Sequence, residues 1–343
     1  MEIFLPFLGG LLIAIASSAN YLLNGKITGF SGMFWSLISF QRGQLLWKLV
    51  FISSVVFTGA LVAILKDIEK SPLLLHIEPK KENLSKGLSF IGFCIAGFLV
   101  GFGTKLGNGC TSGHGVCGLP RFSKRSWVAV GVFFSTAMAV ANLRNYFPFL
   151  QDSPAFTLDI KVENSEIIFA IISGIILIIC FIYSLAFRRT INVKEIFASV
   201  FSGSIFSLGL ILSGMIKRDR ILNFLVISEN WDPSLAIVLG TTVMFNIFSF
   251  NIIDTQQNKP LFTEQFQLPK KSIVDLRLVL GAFIFGLGWG IGGLCPGPAI
   301  LNAQYFVPHI TIGFMGFMAI GCYLEHIISK FTGDSGPSKE KSS

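Results

Sequence analysis

The sequence predicts an all-α polytopic membrane protein of about nine transmembrane helices and four re-entrant segments, arranged as two inverted pseudo-repeats. Three observations predict it. The 343 residues are 52% hydrophobic and only 13% charged, with a mean hydropathy of +0.68, which is too apolar for a soluble domain. The apolar runs reach the roughly 20 residues that cross a hydrocarbon core. A glycine and cysteine pattern also occurs twice: Gly101, Gly103, Gly107 and Cys110 return 185 residues later as Gly286, Gly288, Gly292 and Cys295.

In chain order the apolar segments lie near 3–23, 45–65, 88–106, 126–147, 167–187, 195–213, 235–253, 276–294 and 307–328. Between them, 24–42, 107–125, 214–231 and 295–306 are too short, too rich in Gly and Pro, or too polar to span, and are assigned as re-entrant. The repeat extends beyond the cysteines, because Leu22-Leu23-Asn24-Gly25-Lys26-Ile27 is similar to Ile211-Leu212-Ser213-Gly214-Met215-Ile216. Each half therefore contains two crossings around a first re-entrant segment and two around a second. The extra segment 167–187 then inverts the second half relative to the first, as in many transporters. This divides the chain into a first repeat (1–166), a linking helix and loop (167–194), a second repeat (195–330) and a polar tail (331–343).

The distribution of Lys and Arg sets the orientation. Arg121, Lys124 and Arg125, then Arg188, Arg189 and Lys194, then Lys330, Lys339 and Lys341 belong in the cytoplasm, while the acidic loop 148–166 belongs outside. The N-terminus is then outside and the C-terminus cytoplasmic, in a plasma or bacterial inner membrane. Two stretches run against the rule: loop 66–87 with its five lysines, and Lys217, Arg218 and Arg220. Glu2 is the only charge before the first apolar run, so the basic start of a secretory signal is missing and that segment is expected to be retained. The excess of 27 basic over 19 acidic residues forms no basic tract, which points to the lipid bilayer as partner and away from nucleic acid.

Residues 97–125 carry eight glycines and two cysteines. Small residues at Gly97, Gly101 and Gly103 suit close helix packing. The run Gly107, Gly109, Gly113, Gly115 and Gly118 is expected to unwind the helix at membrane depth, where open backbone must be buried in protein or line a water-filled cavity. A broken helix offers free N–H groups and a positive dipole end, both suited to an anion. Gly109, Thr111, Ser112 and Gly113 surround Cys110 there, and Gly293 lies beside Cys295. A thiol in a dry site stays protonated and can donate a weak hydrogen bond to an anion.

Blander readings exist for each residue. A membrane cysteine usually just packs, as expected for Cys94, Cys180 and Cys322. Cys110, His114 and Cys117 have the spacing C-x3-H-x2-C but no nearby fourth metal ligand, so no metal is assigned and His114 is expected to bond backbone. A Cys110–Cys117 dithiol, acting in redox chemistry or sulfur transfer, is the alternative function, although six residues separate the pair where thioredoxin-type motifs have two. Lys26 and Arg42 in the first half, and Lys217, Arg218 and Arg220 in the second, are candidates for anion capture at two mouths or for headgroup contact. Acidic residues are almost absent from the apolar segments, with Glu325 and His326 near the end of the last, which favours a channel-like route over a proton relay. With no nucleotide motif, neither enzymatic activity nor a cofactor is expected.

The stretch Phe102-Gly103-Thr104-Lys105-Leu106-Gly107-Asn108-Gly109-Cys110-Thr111-Ser112-Gly113-His114-Gly115-Val116-Cys117-Gly118 is similar to the signature of the YeeE/YedE sulfur-transport family. The second half, from Gly214-Met215 through Trp231-Asp232-Pro233-Ser234 to Gly292-Gly293-Leu294-Cys295-Pro296-Gly297-Pro298-Ala299, resembles the companion half-size permeases, so the chain looks like a fusion of two modules. The resemblance implies an importer of thiosulfate or a related sulfur anion, with Cys110 and Cys295 as relaying cysteines and a cytoplasmic sulfur-accepting protein as candidate partner. Some members carry a further cysteine in the first re-entrant motif; Asn24–Gly32 has none here. The motifs accommodate thiosulfate, sulfite, sulfide, selenium compounds and sulfate alike.

Overall fold

The structure, a computed structural model, describes residues 3–41, 45–69, 87–150, 164–187, 192–229, 231–268, 273–305 and 307–332. Arg42, most of the loops 66–87 and 148–166, Arg188 and Arg189, and the tail from 333 lie outside the described residues.

Fourteen helical elements follow one another: α1 (Phe4–Asn24), α2 (Phe30–Ile38), α3 (Leu45–Glu69), α4 (Phe90–Leu106), α5 (Thr111–Gly118), α6 (Lys124–Tyr146), α7 (Ser165–Ala186), α8 (Val193–Leu212), α9 (Arg218–Leu225), α10 (Ser234–Gln256), α11 (Leu276–Gly292), α12 (Pro296–Asn302), α13 (Val307–Gly316) and α14 (Phe317–Phe331). Among the described residues eight apolar stretches are long enough to cross a membrane, or nine when α4 and α5, bent by 48°, count as one. All nine coincide with the apolar segments of the sequence. The four intervening stretches are not plain loops: each carries a short helix, α2, α5, α9 or α12.

Glycine determines where these helices stop. Gly25 ends α1 with φ of 65° and its N–H on the Tyr21 carbonyl at 2.9 Å, and Gly214 closes α8 with φ of 71°. A left-handed residue is the usual way to satisfy the last carbonyls of a helix, and glycine adopts it without steric cost. The matched positions Gly25 and Gly214 thus serve the same local purpose.

Packing has the symmetry that the repeat suggests. The largest interfaces are α4 with α11 and α1 with α8, each joining an element to its counterpart in the other half. The next ones come in exchanged pairs: α4 with α14 matches α11 with α6, and α3 with α8 matches α10 with α1. At the centre the helices touch through glycine, since a Cβ on Gly101 would lie 2.0 Å from the Met318 carbonyl oxygen and one on Gly281 2.2 Å from the Gly107 nitrogen. Backbones this close gain the dispersion contacts that hold helices together in lipid, where burial from water contributes little. By contrast α7, the extra segment, packs on α3 and turns Ile171, Ile175, Ile178 and Ile182 outward, as a lipid-facing helix does.

One expectation needs correction. The glycines after Cys110 do not unwind the chain: Gly113, Gly115 and Gly118 lie inside α5, a wide π-type turn, and the break is confined to 107–110. Three tethers hold α5 in shape. The Phe30 N–H donates to Ser112 Oγ at 3.1 Å, Asn246 Nδ2 donates to the Val116 carbonyl at 2.8 Å, and Gly118 packs directly on Ser126.

Candidate functional site

Both repeat cysteines occupy the same local geometry. α4 ends at Gly107 and α11 at Gly292; a left-handed residue follows each, Asn108 at φ 57° and Gly293 at φ 63°. Two residues later stand Cys110 and Cys295, both extended and both capping the next helix, with their carbonyls accepting from His114 N at 2.8 Å and Ala299 N at 2.9 Å. The left-handed residue turns the chain out of one helix, and the extended cysteine starts it into the next. Asn tolerates that conformation better than most residues, and glycine is unconstrained there.

The two thiols converge in one buried cluster, 1% and 2% exposed. Cys110 Sγ lies 3.3 Å from Ser112 Oγ, and Thr111 of the first half is a near neighbour of Cys295 of the second. The Thr111, Ser112 and Gly113 amides begin α5 and have no carbonyl one turn earlier to bond, as at any helix start. At α12, Pro296 and Pro298 carry no N–H, so Gly297 alone offers an amide in that first turn. The donors are therefore concentrated on the α5 side.

Beside these residues is a cavity of about 30 Å³, against Thr111, Ser112, Gly297 and Pro298 and facing Phe30, Phe206 and Met215. It has room for roughly one or two water molecules. An anion of several heavy atoms needs more room than this cavity offers, and neither cysteine lines it.

The remaining sequence candidates are distributed as follows. His114 Nδ1 bonds Ser126 Oγ at 3.1 Å, and its Nε2 turns to Gly109, where a Cβ would intrude to 2.5 Å. Cys117 points to the Thr28 carbonyl at 3.8 Å and packs in a different apolar cluster from Cys110. Cys110, His114 and Cys117 therefore point in three directions, and Gly113 borders open space. Lys26 is buried, ion-paired with Glu195, and 4.5 Å from the Trp47 ring centre. Arg218 is 1% exposed; its Nε donates to the Gly292 carbonyl at 2.7 Å, so the guanidinium caps the last turn of α11 just before the break. Arg220 pairs with Asp232 at 3.9 Å, and Lys217 is half-buried at the start of α9. Arg42 lies outside the described residues.

Known proteins resemble each half of the chain. Residues 2–139 match the model of a family described as sulphur transport, and 194–332 match a family of unknown function, DUF6691. The chain is 42% identical over 121 residues to a probable transporter of Xylella fastidiosa strain Temecula1, covering 35% of this chain and 80% of the relative. A second probable transporter of that strain is 32% identical over 146 residues, covering 43% of this chain and 98% of the relative. The chain belongs to the YeeE/YedE-like sulphur-transport family. It is an integral multi-pass membrane transporter of sulfur compounds and not an enzyme. Each relative is matched over most of its length by less than half of this chain, which accords with a fusion of two modules.

Sequence reasoning missed two supports of this transporter's site. Asn246 joins α10 to Ser17 of α1 and to the Val116 carbonyl, and Asn302 Nδ2 bonds the Ile216 carbonyl at 2.7 Å, fixing α12 to the segment before α9. A side-chain amide in the middle of an apolar segment was the available signal for Asn246, because such a group requires a buried partner in lipid.

Proposed function

We propose that this membrane protein takes up thiosulfate, relaying it through a constriction lined by Cys110 and Cys295 at two broken helices. The observation that carries the reading is that the two matched cysteine caps are buried in one cluster, with Thr111 beside Cys295. A dehydrating anion must regain hydrogen bonds. Thr111, Ser112, the amides of Gly113 and Gly297, and the two thiols supply donors without a fixed cation that would hold the anion too tightly, while Gly109, whose N–H is held by the Thr104 carbonyl, leaves room for His114. Soft, polarisable sulfur on both sides suits an anion with a terminal sulfur atom. His114 and Cys117 support the α5 wall, and Gly293 permits the turn into Cys295.

In this reading the halves are inverted, the short helices enter and leave the membrane from one face, and loop 148–166 is outside with the C-terminus in the cytoplasm. A protein that accepts sulfur in the cytoplasm would complete the route. In this reading Lys26 and Arg42 flank one mouth, and Lys217, Arg218 and Arg220 the other. The experiment is uptake of radiolabelled thiosulfate by purified protein in liposomes, with sulfite, sulfide, selenite and sulfate as competitors. Competition by sulfate as strong as by unlabelled thiosulfate would contradict thiosulfate as the substrate.

A further inference from the structure

A second cluster of charge lies at the end of α4, five positions before Cys110 in the chain. Lys105 occupies the last turn of α4, two residues before Gly107, where the helix breaks. Its Nζ lies 4.3 Å from the ring centre of Trp35 on α2, and Trp35 in turn meets the His326 ring at 5.0 Å. Its charged neighbours are Glu325 and Arg277, with the Cys322 thiol nearby. Glu325 is already engaged, since Arg277 and Ser329 both donate to its Oε1. Among the described residues Lys105 itself makes no ion pair within 4.0 Å and no hydrogen bond, and it is half-buried.

The other cations near the breaks are differently placed. Lys26 is neutralised by Glu195, and Arg218 is bound to the Gly292 carbonyl. The cluster of Lys105, Arg277 and Glu325 has one positive charge in excess, on the residue without a carboxylate partner. Exposed residues stand near both partners in the chain: Asn108, three residues after Lys105, and Gly32, three before Trp35. At the matched position of the second half, 185 residues on, stands Gly290, so this charge has no counterpart there.

We propose that Lys105, held over Trp35, is a binding station for a small oxyanion at the α4 end of the pathway, one step from Cys110. A cation on an aromatic face keeps its hydrogen-bond donors free, and an anion arriving there needs to displace only water. Glu325 limits the depth of the well, so the anion is captured without being trapped. The station rests on the transport reading above and gives the pathway a polarity that its repeat alone lacks.

The test is the concentration dependence of thiosulfate uptake in liposomes for wild type, Lys105→Gln, Lys105→Arg and Cys110→Ala, at low and high ionic strength. Lys105→Gln should raise KM about tenfold and abolish its salt dependence, and Lys105→Arg should stay near wild type. Equal impairment of both Lys105 variants would make the residue structural, and a wild-type KM in Lys105→Gln would also overturn the station. Should Lys105→Gln not purify, acetylation of wild-type protein read at Lys105 by mass spectrometry decides: protection by thiosulfate but not by gluconate supports the station, and no protection overturns it. Cys110→Ala separates the two ideas. If it transports normally while Lys105→Gln does not, the cysteine relay falls and the station stands; the reverse result removes the station and leaves the relay.

Discussion

Asn108 and Gly293 share one backbone state, φ 57° and 63°, and each stands two residues ahead of a buried cysteine. Their agreement across 185 residues of chain means that the repeat preserves a shape as well as a pattern of letters. The shape is a helix that stops, turns left-handed and restarts on a cysteine.

That shape is tested at Gly293. A Cβ there would lie 2.8 Å from Leu222 and 3.1 Å from the Arg218 side chain, in addition to the left-handed strain. Gly293→Ala should cost about 1–2 kcal/mol for the backbone alone and reduce uptake as Cys295 shifts. Asn108→Gly, which relieves the same conformation, should leave the melting temperature in detergent unchanged or raise it. Equal destabilisation by both variants would show that the left-handed turn is not what these positions require.

The basic residues of the second half separate by burial. Arg218→Gln removes a charged hydrogen bond to the Gly292 carbonyl and should destabilise the protein by about 1.5–3 kcal/mol, with an effect on uptake that salt does not change. Neutralising Lys217 and Arg220 instead should leave the melting temperature near wild type and weaken anion capture only at low ionic strength. A salt-sensitive Arg218→Gln would reverse this division.

Much of this was legible in the sequence, and what was not has physical causes. Segment length and hydropathy report the eight or nine membrane-length helices because lipid imposes both on any helix that spans it. The cysteine caps were legible through the repeat. The shape of α5 was not: Gly113, Gly115 and Gly118 favour unwinding locally, but Phe30, Asn246 and Ser126 come from other segments to hold the turn. Buried charge was underestimated for the same reason. Lys26 and Glu195 lie at segment ends 169 residues apart, and Arg277 and Glu325 are 48 apart, so neither pair shows in a window of sequence.

The proposed inversion makes opposite predictions for two sites of the chain. A tag in 148–166 should be accessible to protease in intact cells, and a tag after Lys330 should be protected until the membrane is opened. Labelling of both from the same side would remove the inverted arrangement while leaving the contact symmetry of the helices to be explained by other means.

The central claim, that two cysteines at broken helices carry the anion, is tested most directly by thiosulfate uptake into liposomes containing Cys110→Ala or Cys295→Ala protein. Each should lower uptake about tenfold or more, as expected for one hydrogen-bond partner lost in a dry constriction, with melting temperatures close to wild type. Cys117→Ala, whose thiol faces the Thr28 carbonyl in another cluster, should do much less. Cys→Ser at either site restores a donor without the soft sulfur, so partial recovery would assign the role to hydrogen bonding and no recovery to sulfur itself. Normal uptake by both alanine variants would contradict the account and return Cys110 and Cys295 to the packed core.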